Sequence, residues 1–149
     1  MTVEVDQSGR IEDLSTGTAI AFANGKSGAA FINAGAKRKL IIRLRRNSFI
    51  PAKDLPAIIF GVVLFILIAD YTIDVLKIDE EYTGKNEIIE ETLKKLFFQN
   101  RIKRIPSVRF VRIGKLAAAH KLAWRVHRSK GRLPETKRIS EKKIFEYVQ

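Results

Sequence analysis

Short apolar runs separated by polar turns fill the first 46 residues, and longer apolar blocks follow. Val3 to Asp6 reads as a strand and Thr18 to Ala23 as a second, with polar turn residues Asp13 to Gly17 between them. Asn24-Gly25 is a hairpin signal, because both residues tolerate positive φ. It leads to a third strand around Ala29 to Asn33, and Lys39 to Arg45 (KLIIRLR) extends this antiparallel, β-rich region. Then the period changes. Ile50 to Asp54 starts an apolar helix, with Pro51 near its first turn. Ile73 to Asp79 has the make-up of a buried strand. Asn86 to Phe98 places Ile88, Ile89, Leu93, Leu96 and Phe97 on one helical face, with Asn86 as N-cap and Glu87 and Glu90 near the positive end of the dipole. Val108 to Ile113 is a further strand. Ala117 to Ser129 is the last main helix, ended near Gly131 with Pro134 beyond. Ile139, Ile144, Phe145 and Val148 give residues 135–149 the apolar side of a short terminal helix.

The order β-β-β-α-β-α-β-α predicts an α/β fold: a five-stranded mixed sheet with helices on both faces. The 149 residues make one domain, with a core over about 2–130 and a basic C-terminal extension over 131–149. A chain of this size buries about 68–70% of its unfolded surface. The first, fourth and fifth strands are expected as parallel neighbours, which sets Asp6 and Asp79 side by side at adjacent strand ends.

Composition narrows the chemistry. With no cysteine, disulfides, thiolate zinc sites and cysteine nucleophiles are excluded, and a reducing, cytoplasmic setting fits. Residues 1–100 are electrically balanced, with 13 Lys/Arg and 13 Asp/Glu. Residues 101–149 carry 15 Lys/Arg against Glu135, Glu141 and Glu146, so the whole net charge of +12 lies in the last third. That asymmetry points to a polyanion, nucleic acid first and an anionic membrane surface second; a plain solvated basic surface is the bland reading. Leu55 to Ala69 is 15 residues without a charge. As a helix it would span about 22 Å, short of the ~30 Å hydrocarbon core, so a buried helix and no membrane insertion are expected. Residues 1–14 are mixed and polar, unlike a signal peptide.

Three carboxylates stand where elements end or begin. Asp6 closes the first strand, Asp54 opens the apolar helix and Asp79 closes the fourth strand. A buried carboxylate is costly unless something positive neutralises it, and three brought together suit a hard divalent cation. Taken singly, Asp54 is an ordinary first-turn residue and Asp79 an ordinary turn former. Of Glu80 and Glu81, one is placed to point inward as a spare ligand. Trp124 is assigned to the core and His127 to the surface.

These positions resemble the ribonuclease H-like superfamily, and ribonuclease H most closely, over about residues 2–130. The matching segments are Asp6-Gln7-Ser8-Gly9, Asp54-Leu55 where the family usually has glutamate, and Asp79-Glu80-Glu81-Tyr82. Arg109-Phe110-Val111-Arg112-Ile113-Gly114-Lys115 is similar to the family's fifth strand and its lysine-glycine turn. His120-Lys121-Leu122-Ala123 stands where the family has an acid before leucine-alanine, which gives His120 the fourth metal-facing position. The resemblance implies catalytic and metal-binding roles for Asp6, Asp54, Asp79 and His120, with Mg²⁺ or Mn²⁺ as the cofactor. It implies a nuclease that cleaves the RNA of an RNA/DNA hybrid, or structured DNA, by two-metal-activated water. The chain departs from the family in lacking the asparagine-rich segment before Asp54 and a basic protruding helix between the fourth and fifth strands. A catalytically inactive nucleic-acid-binding or assembly protein is the alternative. Arg109, Arg112, Lys115, Lys121, Arg125 and Arg128 are assigned to the phosphate backbone. The sequence carries no signal for oligomeric state.

Overall fold

In a computed structural model describing residues 1–148, the chain forms a mixed six-stranded sheet and five helices. The strands are β1 (Thr2–Ser8), β2 (Thr18–Ala23), β3 (Gly28–Ile32), β4 (Val75–Asp79), β5 (Ser107–Val111) and β6 (Lys137–Arg138). The helices are α1 (Ala34–Asn47), α2 (Leu55–Ile68, after a 3-10 turn at Ala52–Asp54), α3 (Asn86–Gln99), α4 (Ala118–Arg128) and α5 (Glu141–Val148). The sheet order is β5-β4-β1-β2-β3-β6. β1 to β3 form an antiparallel meander, turned at Asn24 and Gly25 with positive φ, and β4 and β5 run parallel to β1.

Three expectations are corrected. The sheet has six strands rather than five, because Lys137 and Arg138 add a short parallel edge beside Ala30 and Phe31. Lys39 to Arg45 is not β-structure but part of α1. Lys37, Leu40, Ile41 and Leu44 are buried at helical spacing, and the Asn33 side chain caps the first turn by accepting from Ala36 N at 2.7 Å. The core also continues past residue 130, since Ile139, Ile144 and Phe145 are buried with α1 and α2.

Strand alternation divides the interior in two. Val3, Val5, Ile20, Phe22, Leu76 and Ile78 face α2 and α3, where the uncharged α2 is nearly all buried. No helix among the described residues is long and apolar enough to cross a membrane. On the other face Ala19, Ala21 and Ala29 meet Ala123 and Val126 of α4, with Ala119 also buried. Small residues on both sides let the helix lie close to the sheet, and this closeness brings its histidines to the strand ends. Gly131 finishes the arrangement. Its φ of 75° closes the helix with a bond from Gly131 N to Val126 O, and a Cβ there would lie 2.6 Å from Phe31.

Candidate metal centre and basic face

The register Val5↔Ile78 between parallel β1 and β4 leaves Asp6 and Asp79 next to each other at the C-terminal edge. Both belong to the alternation that faces α4. Glu81, two residues beyond Asp79, completes the group: one carboxylate oxygen from each of Asp6, Asp79 and Glu81 lies within 4.8 Å of the others. Asp6 is only 3% exposed. Its Oδ1 accepts from Gln7 N at 2.8 Å, and its Oδ2 lies 2.8 Å from His120 Nδ1. Asp79 Oδ1 accepts from Ile113 N at 2.7 Å, which ties the β5–α4 loop to the same edge.

Hard oxygen donors this close together suit Mg²⁺ or Mn²⁺, and the imidazole beside them suits Mn²⁺ as well. The electrostatics agree. Burial pushes the Asp6 carboxyl above its usual range against the lowering effect of His120. Glu81 is also raised, by burial first and then by Asp79 and Asp6 beside it.

The sign of the linkage follows. A carboxyl with a raised folded pKa binds more protons folded than unfolded, so the fold loses stability as pH rises from its ordinary value through the folded one. At neutral pH the ionised cluster therefore strains the metal-free protein. Glu81→Gln is expected to raise the metal-free Tm at pH 7, by about 2–4 °C for each kcal/mol of repulsion relieved. The same change should reduce the Tm gain on adding Mn²⁺. Thermal scans with and without Mn²⁺ check this; a lower metal-free Tm with an unchanged Mn²⁺ response contradicts it.

Asp54 does not join the group. Its Oδ1 accepts from Lys85 Nζ at 2.8 Å at the mouth of α2, so it is neutralised by a lysine, and Glu81 takes the third carboxylate place. His120 lies where the sequence places it, on α4 and against Asp6. His127 is not a free surface residue: Nδ1 lies 3.0 Å from Ser8 Oγ and Nε2 2.8 Å from Thr16 Oγ1, which joins α4 to the β1–β2 loop. Burial lowers its pKa. The same loop is held by Lys37, 1% exposed, which donates to Arg10 O, Asp13 O and Thr18 Oγ1. Burial brings the Lys37 ammonium down to about 8. Its role is missed by a reading that makes residues 39–45 a strand.

The basic residues flank the carboxylates. α4 packs over β1, β2 and β3. On that side of the sheet Lys77 lies in register between Glu4 and Arg109, with Arg109 exposed. Arg112 and Lys115 are exposed in the loop that Ile113 ties to Asp79, and Lys121, Arg125 and Arg128 are exposed on α4. None of the six cations assigned from sequence has an ion-pair partner among the described residues. Trp124 is corrected from core to surface: it is 49% exposed, with the Arg128 guanidinium 4.8 Å from its ring centre. No protein-family model matches the chain, and no curated protein matches its sequence.

Proposed function

We propose that this protein is a ribonuclease H-like, metal-dependent nuclease acting on an RNA/DNA hybrid or structured DNA. The observation that carries the proposal is the convergence of Asp6, Asp79 and Glu81 at adjacent parallel strand ends, with His120 on Asp6. The strand order β3-β2-β1-β4-β5 and the placement of these residues support the family reading.

Asp6, Asp79 and Glu81 would hold Mg²⁺ or Mn²⁺, with His120 at the edge of the set. When bound, the metal would lower the pKa of a coordinated water and stabilise charge on the phosphodiester. The protein's own part is positioning. Gln7 N holds Asp6 Oδ1, His120 holds Asp6 Oδ2 and Ile113 N holds Asp79 Oδ1, so both strand-end aspartates are fixed and a metal would take their remaining lone pairs. His120, with Nδ1 on Asp6, orients that carboxylate and can take or return a proton. The cations of β5, its following loop and α4 would hold the phosphate backbone, giving affinity without sequence reading.

The test is cleavage of a labelled RNA/DNA hybrid, a DNA duplex and a four-way DNA junction in Mg²⁺ and in Mn²⁺, with binding measured on the same preparation. Cleavage of one of these is the expected result. Binding without cleavage of any would leave a nucleic-acid-binding protein and remove the nuclease.

A further inference from the structure

An exposed tryptophan on a soluble surface is ordinary when isolated. Trp124 is not isolated. It follows His120 by one turn of α4, about 6 Å along the axis, so both project from neighbouring positions of one face. Arg128, one turn further on, lies over the indole and supports it. Lys121 and Arg125 flank it, both exposed and neither ion-paired among the described residues. On the other side of His120, Leu116 is 86% exposed in the loop before α4. The indole therefore offers a flat apolar surface inside a field of unpaired positive charge.

We infer that Trp124 is a stacking platform for an unpaired base, so that this face engages a single-stranded or locally opened stretch of the nucleic acid beside any duplex that the cations hold. The chemistry matches on both counts: every base has a π face for the indole, and the phosphates on either side of it meet Lys121, Arg125 and Arg128. A stacked base at Trp124 would place the strand's backbone one helical turn from His120 and the carboxylates. The inference rests on the nucleic-acid reading of this face but does not require cleavage.

Trp124 is the chain's single tryptophan, so its fluorescence reports this position alone. The 149-residue protein is titrated without metal with a 12-nucleotide single strand, an abasic strand of equal length and a blunt 12-base-pair duplex. The base-containing strand should quench strongly and the other two weakly. Trp124→Ala should weaken single-strand binding about 5- to 150-fold, the range of one lost base stack, and leave abasic-strand binding within about twofold. Trp124→Phe should recover most of the affinity. Equal quenching by all three ligands, or single-strand affinity unchanged in Trp124→Ala, overturns the inference. Because the wild-type titration needs no variant, poor folding of Trp124→Ala leaves the test standing. Cleavage assays on the same preparations separate the two readings: base-dependent quenching without cleavage sinks only the nuclease, and cleavage without base-dependent quenching sinks only the platform.

Discussion

Asp6→Asn is expected to reduce Mn²⁺-dependent cleavage by about 10²- to 10⁴-fold while leaving nucleic-acid affinity equal or slightly higher. The substitution keeps the shape of the side chain and the bond to Gln7 N, but removes the charge of the most buried carboxylate of the group. Metal stabilisation of developing charge is worth several kcal/mol, and each 1.36 kcal/mol is about tenfold in rate. Affinity moves the other way because less negative charge then faces the phosphates. His120→Ala should cost less than Asp6→Asn, since water can replace an imidazole ligand or proton carrier. The check is single-turnover cleavage and equilibrium binding for wild type and both variants. Equal activity of Asp6→Asn and wild type would remove the carboxylate group from the mechanism.

Raising salt from 50 to 200 mM should weaken duplex binding about 10³-fold. Each neutralised duplex phosphate contributes a slope of about −0.9 in log K against log salt, and Arg109, Arg112, Lys115, Lys121, Arg125 and Arg128 supply six exposed cations. Replacing Arg125 and Arg128 together by alanine should flatten the slope by about 2 units. A titration by fluorescence anisotropy across salt measures it. A flat dependence would mean that these residues do not meet the backbone.

Much of this arrangement was legible in the sequence, for identifiable reasons. β1, β2 and β4 are short apolar runs bounded by turn residues, and the parallel pairing of β1, β4 and β5 follows from the helices between them. That pairing brings together residues 73 positions apart. α1 is hidden because LIIRLR also reads as an apolar-basic strand; its helical marks are the cap residue Asn33 and the spacing of Leu40, Ile41 and Leu44, which the apolar run Leu40-Ile41-Ile42 blurs. β6 has two residues, too few for any period to register. Glu81, expected only as one of two spare ligands, takes the place given to Asp54, because an acid at a helix start and an acid after a strand look alike until a partner is known. The partner of Asp54 is Lys85, 31 residues away, and no local pattern announces it. Trp124 is expected in the core but lies on the surface. On α4 the buried stripe is Ala119, Ala123 and Val126, and Trp124 falls off that stripe beside His120. Lys77 carries no signal beyond its place in β4, and in the sheet it lies between Glu4 and Arg109.

The central claim is that Asp6, Asp79 and Glu81 hold a divalent cation, and a crystal soaked in Mn²⁺ tests it most directly. The account predicts an anomalous peak between the three carboxylates at the C-terminal ends of β1 and β4, with oxygen contacts of about 2.0–2.6 Å as hard cations make and His120 at its edge. A well-ordered soaked crystal with no peak at these residues would contradict it.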